Sequence, residues 1–198
     1  MRGDHVADHV IGPNAILQTA HALRAEGGEA LTRQVFASVG LVDMLDHPPA
    51  DMVDQASAAA LHCAVARLLP DDRAMATARD AGCRTADYIL AHRIPARAQT
   101  VLRLLPAGLA APILLRAIRQ HAWTFAGSGQ VRTRMGAEMS LTITDNPLAT
   151  PGCPWHSAVL ETLFRQLVAP DIEVRETTCC ARGDAACRFV FRRDRAGR

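Results

Sequence analysis

Residues 153–191 read CPWHSAVLETLFRQLVAPDIEVRETTCCARGDAACRFVF, and this stretch decides the C-terminal half of the fold. It opens with apolar residues at the spacing of a helix, namely Val159, Leu160, Leu163, Phe164 and Leu167. Ile172 to Thr178 then alternates as a strand, with Glu176 on the face of Ile172 and Val174. A turn leads into a second strand, on which Cys187, Phe189 and Phe191 share one face.

Four of the six cysteines of the chain lie in this stretch, and their pattern is that of a metal site rather than a disulfide scaffold. Cys153 stands at a helix entrance, Glu176 and Cys179 at a strand end, and Cys187 at the start of the paired strand, so the four can converge. Three thiolates and one carboxylate form a closed tetrahedral set of the kind that structural zinc prefers. Competing ligands are His156, Cys180 and Asp184. The spacing alone leaves a metal-free cluster of reduced cysteines equally open.

Charge around these residues favours the metal interpretation. Four negative ligands around a divalent ion need positive neighbours, and the sequence supplies Arg175, Arg182 and Arg188. A thiol at a helix N-terminus is also expected to have a lowered pKa, which predicts that Cys153 is a thiolate.

Glu176-x2-Cys179, followed by Gly183-Asp184 and then Cys187-x-Phe189, resembles the signature of the 4-vinyl-reductase domain family. That family is named for a bacteriochlorophyll-synthesis protein, and the same domain is the sensor module of phenol-responsive transcription activators. In those sensors a cysteine before a helix, a glutamate on a strand and two later cysteines hold a structural zinc. The resemblance, which runs from about Ser128 to Arg193, implies that Cys153, Glu176, Cys179 and Cys187 bind zinc here.

Length and composition predict one compact α+β domain with two regions. Residues 1–126 are predicted to be helical and to pack on residues 127–198, an antiparallel sheet in the order strand, strand, helix, strand, strand. The net charge of +2 does not favour nucleic acid or a strongly anionic surface as a partner. No apolar run reaches the length of a membrane span, and no signal-peptide pattern begins the chain. We therefore expect a cytoplasmic protein, with peripheral association to the photosynthetic membrane as an open alternative.

The periodic segments give the expected elements in order. Helices are predicted over 13–26, 29–39, 51–69, 71–93, 97–105 and 108–125, and strands over 131–135 and 138–145. Small residues on the helix predicted over 71–93, Gly82 among them, are expected to let a neighbouring helix approach closely. Gly27-Gly28 is expected to end the first helix, and Gly136-Ala137 to turn between the two strands. Residues 1–12 are expected to form a loose arm and residues 192–198 a frayed end.

The helix predicted over 108–125 carries the candidate ligand residues of the first half. Leu114, Ile118, His121 and Phe125 share one face, so His121 is a candidate axial ligand to the magnesium of a chlorophyll precursor. The alternative is a histidine that hydrogen-bonds to the backbone at the end of a buried stripe. His21, His62 and His92 are weaker candidates, and Arg132 and Arg134 are either partners of a pigment propionate or part of a solvated strand face.

The family name implies reduction of a vinyl group, yet the residues supply no cofactor motif. Gly127-Ser128-Gly129 follows a helix and precedes a strand, the reverse of the dinucleotide-binding order, and the cysteines suit one mononuclear site rather than an iron–sulfur cluster. The resemblance therefore favours an accessory protein of bacteriochlorophyll synthesis. Such a protein would bind a hydrophobic Mg-tetrapyrrole of the divinyl protochlorophyllide or chlorophyllide type, and present it to pathway enzymes. The alternatives are an 8-vinyl (4-vinyl) reductase with an unseen cofactor, and a small-molecule sensor module. Relatives of the domain tend to pair, so a homodimer is expected.

Overall fold

The computed structural model describes residues 9–136 and 138–193. Within them the chain forms eight helices: α1 (Asn14–Ala37), α2 (Asp43–Asp46), α3 (Gln55–Leu68), α4 (Asp71–His92), α5 (Ala96–Leu104), α6 (Ala107–Gln120), α7 (Trp123–Ala126) and α8 (Pro154–Leu167). The strands are β1 (Val10–Ile11), β2 (Val53–Asp54), β3 (Gln130–Arg134), β4 (Met139–Thr144), β5 (Ile172–Thr178) and β6 (Ala186–Arg193). No helix in these two ranges combines the length and the apolar character needed to span a bilayer.

The C-terminal sheet is antiparallel, with strand order β3-β4-β6-β5. Its inner face carries Leu141 and Ile143 on β4 and Phe189 on β6, all fully buried. Helix α8 packs on this face, and α4 packs on α8. The α+β class and the order strand, strand, helix, strand, strand are therefore confirmed.

The close approach of α4 to α8 depends on a glycine. A Cβ built on Gly82 would lie 2.5 Å from the carbonyl oxygen of Trp155 and 2.8 Å from the Cβ of Ala158. The prediction that small residues of α4 admit a neighbouring helix is thus confirmed at Gly82. Since Trp155 is in the first turn of α8, this contact also fixes the start of that helix.

Three boundaries differ from the sequence prediction. The expected break at Gly27-Gly28 is present as non-helical backbone, with φ of 73° at Gly28, although helical hydrogen bonding resumes directly after it. The helix predicted from residue 51 begins only at Gln55, because Val53 and Asp54 pair with Ile11 and Val10 in a two-stranded ribbon. The helix predicted over 108–125 ends at Gln120.

Two predictions reach beyond the described residues. The predicted arm includes residues 1–8 and the predicted frayed end includes residues 194–198, which lie outside them, while Val10 and Ile11 of the arm form β1. The hairpin between β3 and β4 is confirmed by their register, although Ala137 of the predicted turn is not described.

Candidate metal centre and ligand cavity

The sulfur atoms of Cys153, Cys179 and Cys187 form a triad, here called the thiol cluster, in which all three lie within 4.8 Å of one another. Cys153 Sγ is 3.6 Å from Cys179 Sγ and 3.3 Å from Cys187 Sγ. A tetrahedral ion with metal–sulfur bonds of about 2.3 Å holds its sulfurs about 3.8 Å apart. All three side chains are buried, and all six cysteines of the chain are free thiols. The cluster can therefore hold a metal ion with small adjustments.

Cys153 enters the cluster from a strained turn. Its backbone has φ of 40° and ψ of 49°, the left-handed conformation that a side chain disfavours by about 1–2 kcal/mol. Gly152, with φ of 81°, precedes it, and Pro154 follows at the first position of α8, where its fixed φ and missing N–H suit a helix start. This geometry turns the thiol back toward the sheet, which is a pattern typical of functional sites.

A bulge in β5 brings Glu176 and Cys179 to the same face of the sheet. Residues three apart in a regular strand point to opposite faces. Here Glu176 pairs with Phe189, but Thr178 pairs with Arg188, so the register shifts around Thr177. The extra residue reverses the alternation and returns Cys179 to the inner face, opposite the end of β6 that carries Cys187.

Protonation is shared unequally within the cluster. A hydrogen bond from the Cys153 thiol lowers the pKa of Cys187 to about 5, and backbone and side-chain donors assist it. The same bond, together with burial, raises the pKa of Cys153. The prediction that the helix N-terminus makes Cys153 the thiolate is therefore wrong for the metal-free protein, because the neighbouring sulfur outweighs the helix dipole. Cys187 is the thiolate.

Glu176 lies beside the cluster, with its carboxylate engaged elsewhere. Both oxygens accept hydrogen bonds from Arg182, at 2.9 and 2.8 Å, and the side chain is 6% exposed. Of the three predicted basic neighbours, only Arg182 contacts a predicted ligand. Arg175 pairs with Glu173, and Arg188 pairs with Glu138.

The competing ligands have other partners. Asp184 accepts the backbone N–H of Cys179 at 2.8 Å, and the backbone N–H of Cys180 donates to Cys187 Sγ at 3.4 Å. His156 is buried with its Nε2 3.2 Å from the Phe125 carbonyl, and its Nδ1 has no partner within the described chain. Burial lowers the pKa of His156 to about 3.

Asn146 and Thr150 complete the surroundings of the cluster, and sequence reasoning missed both. The Asn146 amide donates to Cys187 Sγ at 3.4 Å, while its oxygen accepts the Leu148 N–H at 3.1 Å. The Cys179 thiol lies 3.3 Å from the Thr150 carbonyl. Asn146-Pro147 is a strand-ending signal in sequence, and nothing in that signal indicates a sulfur ligand.

A cavity of about 340 Å³ lies between α1, α3, α4 and the segment 150–155 that leads into α8. Its lining is mostly apolar, and its polar groups include Thr19, His62, Asp71 and Thr150. Trp155 closes one side, and its buried indole N–H has no acceptor among the described residues. A mainly apolar chamber with a few polar groups is typical of small-molecule sites.

His62 is the histidine of this cavity. Its Nε2 lies 3.0 Å from the Ala15 carbonyl, so this nitrogen carries the proton and Nδ1 keeps its lone pair. Burial lowers the pKa of His62, which keeps the ring neutral. A neutral imidazole with one nitrogen bonded to a carbonyl is the usual state of a metal-binding histidine.

The ligand residues predicted on α6 lie elsewhere. His121 is exposed at the end of the helix, with Nδ1 3.0 Å from the Ala117 carbonyl. Leu114 is buried, Ile118 and Phe125 are half-buried, and none of the four lines the cavity. His121 thus has the backbone hydrogen bond of the alternative interpretation. Arg132 and Arg134 are exposed on β3.

Comparison with solved structures gives a fold likeness. The chain superposes on an H-NOX protein from S. oneidensis, solved in the Fe(II)NO ligation state, with a TM-score of 0.54 and 12% identity over 93% of this chain and 99% of that chain. A mutant of an H-NOX protein from S. oneidensis in the Fe(II) state gives the same TM-score with 10% identity, over 93% of this chain and 96% of that chain. At this identity the likeness shows the fold alone.

Sequence comparison is more specific. The 4-vinyl-reductase domain family matches residues 143–193, which include the thiol cluster and Glu176. The Bacteriochlorophyll synthase 23 kDa chain of Cereibacter sphaeroides is 43% identical over 96% of this chain and 93% of its own length. The protein of the same name from Rhodobacter capsulatus is 39% identical over 91% of this chain and 86% of its own length. The resemblance predicted from Glu176, Cys179 and Cys187 is therefore confirmed: the chain belongs to the family of the bacteriochlorophyll synthase 23 kDa chains and carries the 4-vinyl-reductase domain in its C-terminal part.

Proposed function

We propose that the chain is an accessory protein of bacteriochlorophyll biosynthesis that binds a hydrophobic Mg-tetrapyrrole intermediate and presents it to pathway enzymes. The observation that carries this proposal is the 43% identity, over nearly the full length of both chains, to a protein named Bacteriochlorophyll synthase 23 kDa chain. Intermediates of that pathway are flat, apolar and magnesium-containing, so a carrier needs an apolar cavity and an axial ligand.

The cavity and His62 support this proposal. The volume of about 340 Å³ is near the lower end of small-molecule sites, so a macrocycle would enter in part and keep one edge at the mouth. Partial enclosure suits a protein that must hand on its cargo. The neutral His62 ring, with Nδ1 unprotonated, can supply the axial ligand to magnesium.

We further propose that the thiol cluster and Glu176 hold one structural zinc ion. Three sulfurs at the observed spacing leave room for one more ligand on a tetrahedral ion, and Glu176 can share its carboxylate between the ion and Arg182. Cys153 and Thr150 belong to the segment 150–155, which is a wall of the cavity. The ion would thereby fix that wall.

Pigment titration tests the carrier role. Purified protein is mixed with divinyl chlorophyllide, and we expect the Soret band to shift and sharpen without any electron donor. His62→Gln should alter the band of the bound pigment, whereas His121→Ala, which changes an exposed histidine, should leave it unchanged. Conversion to the monovinyl product on addition of NADPH alone would replace the carrier role with that of a reductase.

Elemental analysis tests the zinc site. We expect about one zinc per chain, and loss of both metal and folding cooperativity in Cys187→Ser. Cys63→Ser is the matched control, because Cys63 is exposed and lies outside the cluster. Full metal content in Cys187→Ser would contradict the proposed ligand set. A homodimer remains part of the proposal, and light scattering that returns a monomer mass would contradict it.

A further inference from the structure

The hairpin formed by α5 and α6 exposes an apolar tip. Four aliphatic side chains near its turn are 51–79% exposed, namely Val101, Leu104, Leu109 and Ile113. On α5, Arg97, Val101 and Leu104 follow one another at intervals of four and three residues, and on α6 the same holds for Leu109, Ile113 and Arg116. Each set therefore lies on one face of its helix. The opposite faces pack inward through the buried Leu102 and Leu114.

Positive charge lies directly behind this tip. Arg97 and Arg116 each stand seven residues from the nearest tip leucine, which is about 10 Å along a helix. An amphipathic helix buries its apolar face by roughly 5–10 Å into a membrane interface. The guanidinium groups would thus reach the lipid headgroups when the leucines reach the acyl chains. Trp123, 53% exposed, follows α6 and is a residue type enriched at that depth.

The segment from Tyr88 to Ala137 has no acidic residue at all, and it contains seven arginines: Arg93, Arg97, Arg103, Arg116, Arg119, Arg132 and Arg134. None of the seven has a carboxylate within 4.0 Å anywhere in the described residues. The other 15 of the 22 basic residues face 20 acidic ones, so the rest of the sequence is net negative by 5. The small net charge of the chain therefore conceals a strongly basic surface.

We propose that the α5–α6 hairpin docks on an anionic lipid bilayer, with its four aliphatic side chains in the interface and its arginines on the headgroups. A second copy of the chain fits this surface less well, because a two-fold contact would bring the arginines of both copies together. Anionic headgroups complement the charge, and acyl chains complement an aliphatic tip that carries no hydrogen-bonding side chain. This inference is independent of the proposed pigment binding.

Vesicle co-sedimentation of the full chain without pigment tests the proposal. We expect binding to vesicles of equimolar phosphatidylglycerol and phosphatidylcholine, weak binding to phosphatidylcholine alone, and a decline as salt is raised. Arg116→Gln should weaken binding about fivefold and Leu104→Ser about tenfold or more, from the ordinary contributions of one basic and one buried aliphatic residue. Arg67→Gln and Leu68→Ser, exposed positions on α3, are the matched controls and should bind as the wild type does.

Three results would overturn the proposal. The first is absence of binding to the anionic vesicles at low salt, and the second is an equal loss in the α3 controls. The third is a change of occupant. If Leu104→Ser converts a dimer to a monomer in light scattering and leaves vesicle binding intact, a second copy covers the hairpin. If the chain binds polyglutamate but not vesicles, and Leu104→Ser has no effect on that binding, the partner is an acidic protein.

Discussion

Replacing Gly82 by alanine tests how closely the helical region is bound to the metal-site region. The added Cβ would lie 2.5 Å from the Trp155 carbonyl oxygen, whereas ordinary contacts begin at 3.4 Å, so α4 and α8 must separate by 0.9 Å or distort. Overpacking of this kind costs about 3 kcal/mol at its upper range, and the better helix propensity of alanine returns about 1 kcal/mol. We expect Gly82→Ala to lower the free energy of unfolding by about 2 kcal/mol.

Urea denaturation at 25 °C measures this change, with the denaturant slope checked to be constant. Gly108→Ala is the control, because Gly108 is also helical but its Cβ would meet nothing within 4 Å. That variant should be as stable as the wild type, or more stable by up to about 1 kcal/mol. A Gly82→Ala protein as stable as Gly108→Ala would refute the packing of α8 against α4.

Three further changes probe buried polar groups. Because burial lowers the pKa of His156 to about 3, its contribution is present above the unfolded pKa of 6.5 and is lost as the pH falls toward 3. Wild-type unfolding free energy should therefore drop by roughly 2 kcal/mol more than that of His156→Gln between about pH 7.5 and about pH 5, and equal slopes would contradict a neutral buried ring. Glu161 accepts the Val174 N–H at 3.0 Å, so in urea titrations Glu161→Ala should cost about 1–3 kcal/mol and Glu161→Gln, which keeps an acceptor, distinctly less. Asn146→Asp should destabilise the metal-free protein at least as much as Asn146→Ala, because its carboxylate would face the Cys187 thiolate; a well-tolerated Asp would show that this sulfur is a neutral thiol.

Sequence periodicity was sufficient for the sheet and for the convergence of the three cysteines. Inward residues such as Leu141, Ile143 and Phe189 alternate with polar ones, and this pattern fixes which face each strand buries. Once β5 and β6 pair, Cys179 and Cys187 meet at one end of the sheet, and the helix entrance brings Cys153 to them. The two-residue strands β1 and β2 could not be predicted, since two residues carry no period.

The choice of histidine shows where periodicity fails. A continued helix would place His121 on the buried face of Leu114, but α6 stops at Gln120 and the Thr124 carbonyl instead accepts the Gly12 N–H at 2.9 Å. That bond joins the two ends of the helical region, so only the tertiary fold could reveal it. His62, by contrast, lies one turn from the buried Ala58 and adjoins the buried Leu61 on α3, a signal that was present in the sequence.

The bulge in β5 explains why the cysteine and glutamate pattern has its unusual spacing. In a regular strand, two inward ligands stand two or four residues apart, and a spacing of three sends one of them to the outer face. The register shift around Thr177 reverses the alternation after Glu176, so Cys179 faces the same side as Glu176. The same shift lets the Cys179 N–H bond to Asp184 across the turn, which holds the thiol in place without a metal. A spacing of three on a strand is therefore readable as a site only when a bulge is assumed, and deletion of Thr177 would return Cys179 to the outer face and dissolve the thiol cluster.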